Sequence, residues 1–150
     1  MGRLFAVAIA SLGCLACPAA ATAKLPKVLT QHARHPFAVR PATIEYTGDG
    51  TAILGGTDGA SARHPGHLRW TKYNHRQGFA KGVDWLNDCD PSCAEGKFRP
   101  VPVRVHVSRP RDGRFTRLTL RFTYNGKHVV DRRGIRRYGD YWAYYIISFR

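Results

Sequence analysis

Val101-Pro102-Val103-Arg104-Val105-His106-Val107 places valine at every odd position and a proline, an arginine and a histidine between them. Side chains alternate across an extended chain, so this stretch has one apolar face and one wet face. It reads as a strand of an antiparallel sheet packed on a core from one side. Pro102 has no N–H to give a ladder, which predicts an edge or bulge at that end. The next run repeats the pattern, with Leu118, Leu120, Phe122 and Tyr124 on one face and Arg117, Thr119, Arg121 and Thr123 on the other. Between the runs, Pro110-Arg111-Asp112-Gly113 is a turn sequence. Paired as a hairpin, the runs bring Arg104 and His106 beside Arg117, Thr119 and Arg121 on one exposed face. Like charges side by side destabilise a sheet. Such a stripe either splays into water or has an anion lying across it.

Working outward toward the C-terminus, Asn125-Gly126 is a type I′ turn dipeptide between Phe122-Thr123-Tyr124 and His128-Val129-Val130, which predicts a second hairpin. Asp131-Arg132-Arg133-Gly134-Ile135-Arg136-Arg137-Tyr138-Gly139-Asp140 is the densest basic cluster and too glycine-bearing for a stable helix. It reads as a charged loop whose Arg132, Arg133, Arg136 and Arg137 form an anion contact site. Tyr141 to Phe149 is apolar on both faces and rich in strand-favouring residues, which predicts a central or sandwiched strand. Removing it should be severely destabilising.

Toward the N-terminus the pattern is less regular, with candidate strands near Ala42–Tyr46, Thr51–Leu54, Leu68–Tyr73 and Phe79–Trp85. Gly48-Asp49-Gly50 is a tight-turn sequence. The glycine-rich stretch from Gly48 to Gly59 lacks the Lys-Ser or Lys-Thr ending of a phosphate-binding loop. No helical stripe stands out after Phe37. The sum is an all-β chain of about eight strands, expected as a single-domain antiparallel β-sandwich, with a small β-barrel as the alternative.

Residues 1–23 have the form of a secretory signal: Arg3, an apolar run from Leu4, then Pro18 and the small-residue site Ala21-Thr22-Ala23. The run is shorter than the roughly 20 residues a spanning helix needs. Cys14 and Cys17 raise lipidation as a minor alternative, but Ser11 and Cys14 stand where a bulky aliphatic residue is expected. Cleavage would remove 23 of 150 residues and leave 127, a length suited to one core. Lys24 to Pro36 reads as a basic, poorly ordered arm, and 37–150 as a single β domain. The secreted chain would retain only Cys89 and Cys93, in Asp88-Cys89-Asp90-Pro91-Ser92-Cys93. In an oxidising compartment that pair is expected as a local disulfide. A loop this short implies about 2 kcal/mol from chain entropy. Three intervening residues do not fit a redox couple, and no further zinc ligands lie nearby.

The formal net charge is +14, and losing Arg3 leaves +13. A chain so basic adheres to anionic polymers. Outside a cell these are envelope polymers, acidic polysaccharides or anionic lipid headgroups, with nucleic acid bound only non-specifically.

Catalytic signals are sparse. Glu45, Asp84, Asp131 and Asp140 are the free carboxylates, each expected as a turn residue or arginine partner. No Gly-x-Ser-x-Gly elbow is present, and His64-Pro65-Gly66-His67 has a turn dipeptide between its imidazoles. Asp84, Asp88, Asp90 and Glu95 surround the cysteine clip, but their spacing does not match a calcium loop, so neutralisation of nearby cations is expected. Trp70, Tyr73, Phe79 and Trp85 read as core rather than as a sugar platform. No cofactor or metal is expected.

His67-Leu68-Arg69-Trp70-Thr71-Lys72-Tyr73-Asn74, then Ala80-Lys81-Gly82, then Cys89-Asp90-Pro91-Ser92-Cys93-Ala94-Glu95-Gly96 together carry a resemblance. The pattern resembles a group of small secreted actinobacterial proteins of unknown function, over a span from Val39 to the C-terminus. The resemblance implies export and a one-domain architecture, and nothing about mechanism. The expected function is a non-catalytic secreted module that binds an anionic cell-envelope polymer through Arg132, Arg133, Arg136 and Arg137, helped by Arg104, Arg117 and Arg121. The alternative is an extracellular hydrolase using carboxylates near the clip.

Overall fold

The computed structural model describes residues 24–55 and 67–150. The export signal expected over 1–23 and the histidine at position 64 lie outside the described residues. Among those described, all regular structure is β: β1 (Val28–Leu29), β2 (Phe37–Ala38), β3 (Ile44–Glu45), β4 (Ala52–Leu54), β5 (Arg69–Tyr73), β6 (Gln77–Asn87), β7 (Phe98–Arg111), β8 (Arg114–Tyr124), β9 (Lys127–Tyr138) and β10 (Tyr141–Phe149).

Eight strands form one antiparallel sheet in the order β10-β9-β8-β7-β6-β4-β3, with β5 also on β6. The expected two layers are realised unequally, because the second is only the β1–β2 pair. Strand β6 takes β5 along Gly78–Lys81 and β4 along Asp84–Leu86, so the sheet splits on that side and curls. The curl brings distant strands to one segment. Tyr73 of β5 donates to the carbonyl of Pro26 at 2.6 Å, and Tyr144 of β10 donates to that of Leu29 at 2.6 Å. The segment around β1 thus fills the mouth of the curled sheet. Val28 and Leu29 are buried, and Lys27 bridges to Arg114. This differs from the poorly ordered arm its basic composition suggests, because two apolar residues suffice to seat it.

The alternating runs behave as their period dictates. Val101, Val103, Val105 and Val107 face the interior with Leu118, Leu120 and Phe122. Each such side chain contributes roughly 1.5–3 kcal/mol when fully buried. The turn between them is Asp112-Gly113, with φ of 48° and 69°, and the next is Asn125-Gly126, at 48° and 73°. Two successive left-handed residues match the strand twist, as in type I′ hairpins. The β8 ladder stops at Val103, so Pro102 lies beyond it and pairs only with β6. Cys89 and Cys93 are disulfide-bonded in the β6–β7 connection, where Asn87 donates to the Cys93 carbonyl at 2.8 Å.

Two expectations are corrected. Asp131–Asp140 is no loop, because β9 runs through it to Tyr138. Its inward positions, Val129, Asp131, Arg133 and Ile135, include a buried ion pair that hydropathy counts as polar. The C-terminal strand β10 is neither central nor sandwiched but at the sheet end. Its inner face is core, with Tyr144 buried and Trp142 packed on it. Its outer side leaves Tyr141 and Tyr145 exposed, and Ile146 and Phe149, opposite Arg133 and Asp131, are exposed beyond the core.

Candidate anion-binding surface

Register decides which cations meet. Arg69 of β5 pairs with Lys81 of β6, Lys81 with Arg104 of β7, and Arg104 with Arg121 of β8. All four are exposed and lie in one row on the outer face. Neighbouring strands are about 4.8 Å apart, so the row carries a cation at each step over roughly 14 Å. The next row is Phe79, His106, Thr119 and Arg132, and beyond it lie Gln77, Ser108, Arg117 and Gly134.

No acid interrupts these rows. Strands β5–β10 carry two carboxylates, Asp84 and Asp131, and both are buried. None of Arg69, Lys81, Arg104 and Arg121 makes an ion pair among the described residues. A groove of about 760 Å³ lies on this face, walled by Lys81, Arg104, Arg121, Thr123 and His128. Its floor alternates with those side chains along each strand, at Gly82, Val103, Phe122 and Val129. Such alternation places it outside the sheet, over the backbone. Thr123 and His128 are hydrogen-bonded across the hairpin at 3.1 Å.

His106 stacks on Phe79, with ring centroids 4.4 Å apart and planes 2° from parallel. Burial holds its pKa below the usual value, and the charge on Arg121 adds to this. The imidazole is therefore neutral at physiological pH and separates cationic rows. Phe79 thus departs from the expected core aromatics, whereas Tyr73 and Trp85 are buried.

The four arginines expected as one loop site are dispersed, because a strand sends successive side chains to opposite faces. Arg132 and Arg136 point outward, where Arg132 bonds Ser148 at 3.4 Å and Arg136 lies over the Tyr145 ring at 5.1 Å. Arg133 and Arg137 point the other way. Arg133 is partly buried and pairs with the buried Asp131 at 2.9 Å, donates to the Tyr46 carbonyl at 2.9 Å and covers the Tyr46 ring. Arg137 donates to the Gly139 carbonyl at 2.9 Å. Arg104 and Arg121 are brought together as expected, and Arg117 lies two residues along β8 from Arg121. Lys81 and Arg69 escaped the sequence reading. The alternation of Phe79 and Lys81 with small Gly78, Ala80 and Gly82 marks the face of Lys81, whereas its pairing with Arg69 follows only from register.

The carboxylates go elsewhere. Asp84 is fully buried and accepts a hydrogen bond from Tyr46 at 2.7 Å. Burial pushes its pKa up to about 7, and the charge on Asp131 pushes the same way against the Tyr46 bond and Arg133. Burial, with Asp84 beside it, likewise raises the Tyr46 phenol. Asp88 accepts from the Lys97 amide at 2.8 Å and from Arg99, which hold its pKa low. Asp140 faces Arg34 at 3.6 Å, with both side chains exposed. Glu95 accepts from Ser92 at 2.9 Å. Among the described residues no three metal-ligating side chains converge, and no helix is long and apolar enough to cross a membrane. No family model, curated protein or solved structure matches this chain.

Proposed function

We propose that this protein is an exported, non-catalytic module that holds anionic polymers of the cell envelope against the outer face of its sheet. The observation that carries the reading is the unbroken row Arg69, Lys81, Arg104 and Arg121 on a face without carboxylates. Like charges opposite one another cost a sheet stability. A polymer with anions along its length removes that repulsion and gains several charge-assisted contacts. The form of residues 1–23 supports export, and a disulfide is compatible with an extracellular location. Contacts of this kind recognise charge and spacing rather than sequence, so nucleic acid would bind without specificity.

The test is retention on immobilised heparin and polyphosphate. Replacing Lys81, Arg104 and Arg121 together by Gln should bring elution to clearly lower salt, whereas Arg136→Gln with Arg137→Gln should shift it less. Equal elution of the wild-type protein and the triple variant would remove the site.

A further inference from the structure

A smaller cavity of about 320 Å³ opens on the same face, at the turn end of the β7–β8 hairpin. Arg109, Arg111 and Arg117 line it together with Tyr145 and Ile147, and no carboxylate does. Three features of the chain are otherwise without purpose. The Nε of Arg117 is buried and has no hydrogen-bond partner. Buried guanidinium N–H groups without an acceptor are rare, because desolvating them is costly. Arg109 has a left-handed backbone, with φ of 56°, a conformation uncommon for a residue other than glycine. Strand parity would send its side chain to the interior opposite Thr116. The left-handed residue re-aims it to the cavity, as bulges do, and Thr116 fixes the kink by donating to the Arg109 carbonyl at 2.7 Å. Finally, Gly134 pairs with both Arg117 and Tyr145. A side chain there would collide with the end of the Tyr145 ring, so glycine is what lets the phenol lie across β9 toward Arg117.

We infer that this cavity is a discrete site for a phosphate group bearing two ionisable oxygens, either free orthophosphate or a terminal phosphomonoester. Its volume is at the lower limit of the roughly 300–1,000 Å³ of ligand pockets, which suits a compact group. Three guanidinium groups exceed what one carboxylate can satisfy, whereas a phosphate dianion offers enough charge and acceptor oxygens for all three. A turn of the Arg117 guanidinium toward the cavity would bring its buried Nε to such an oxygen. The site uses none of Arg69, Lys81, Arg104 and Arg121, so it stands apart from the polymer-binding reading.

The experiment is an NMR titration of the arginine Nε–H signals with inorganic phosphate at low salt. Four proteins are compared: wild type, Arg109→Gly, Arg117→Gln, and the triple variant at Lys81, Arg104 and Arg121. Arg109→Gly removes the guanidinium but suits the left-handed backbone and keeps the Thr116 bond, so its melting temperature should equal or exceed the wild type. Saturable one-site binding is expected in the wild type and the triple variant, and at least tenfold weaker binding in Arg109→Gly and Arg117→Gln. In a parallel titration, methyl phosphate binding as tightly as inorganic phosphate identifies a terminal phosphomonoester, and inorganic phosphate binding alone identifies the free anion. Either result supports the site. Absence of saturation in the wild type, or wild-type affinity in both pocket variants, overturns it. So does loss of binding in the triple variant alone.

Discussion

Arg133 and Arg121 stand on neighbouring strands of one sheet, yet they live in opposite circumstances. Arg133 faces inward and has every partner it needs: the Asp131 carboxylate, the Tyr46 carbonyl and the Tyr46 ring. Arg121 faces outward opposite Arg104, another cation, with no acid nearby on its face. The contrast extends over the two faces. Inside, polar groups are few and mostly satisfied, as burial demands. Outside, positive charge accumulates without compensation. Basic residues of the first kind stabilise the fold, and those of the second kind are open to a ligand. Composition alone counts them the same.

Removing Arg133 should expose the difference most strongly. Arg133→Met leaves Asp131 charged and buried without its cation, and breaking such a pair costs about 3–5 kcal/mol. Chemical denaturation should show that loss, while polyphosphate retention of the folded fraction stays unchanged. A small stability change would mean that Arg133 belongs with the outer cations.

Asp84 sharpens the interior side of the comparison. Its folded pKa of about 7 lies above the ordinary carboxylate value. Between about pH 4 and pH 7 the native state keeps a proton that the unfolded chain has released. Its contribution to stability is therefore complete at low pH and is lost as pH rises through that window, at up to about 1.4 kcal/mol per unit. Above about pH 7 it levels off. Asp84→Asn keeps an acceptor for Tyr46 and removes the charge, so the variant should gain a few kcal/mol over wild type between pH 4 and pH 8. Denaturation curves at several pH values measure that difference, and a constant difference would contradict the buried, proton-holding carboxyl.

A milder effect comes from Tyr144→Phe, which deletes the phenol that seats the N-terminal segment. With the Leu29 carbonyl left without that donor, a cost of about 1 kcal/mol is expected in thermal or chemical unfolding. No change would mean that this tyrosine does not tie β10 to the segment around β1.

The regular half of the fold was legible because its period is strict. Four alternating valines in β7, the matching run in β8 and the Asn125-Gly126 turn dictate strands, register and the Arg104–Arg121 pairing. Strand β9 was hidden for a physical reason. Its inward set includes Asp131 and Arg133, so a buried ion pair masked the alternation and the glycine needed under Tyr145 looked like a loop residue. Strand β10 misled in the opposite sense. Apolar residues on both faces suggested a central place, but one side chain, Tyr145, covers Gly134 and others such as Ile146 and Phe149 stay exposed. The row through Lys81 and Arg69 was beyond local reading, because it depends on register across three hairpin-linked ladders.

The outer face should matter least to folding, since surface substitutions of this kind change stability by about 0.5 kcal/mol or less. Its effect belongs to binding. The most direct measurement is the salt dependence of polyphosphate affinity, taken as the slope of log Kobs against log salt concentration. Neutralising Lys81, Arg104 and Arg121 with Gln should flatten that slope by about 2, at roughly 0.7 per cation contact as for a flexible single strand. An unchanged slope in the triple variant would contradict the claim that this row, rather than the protein's overall charge, holds the polymer.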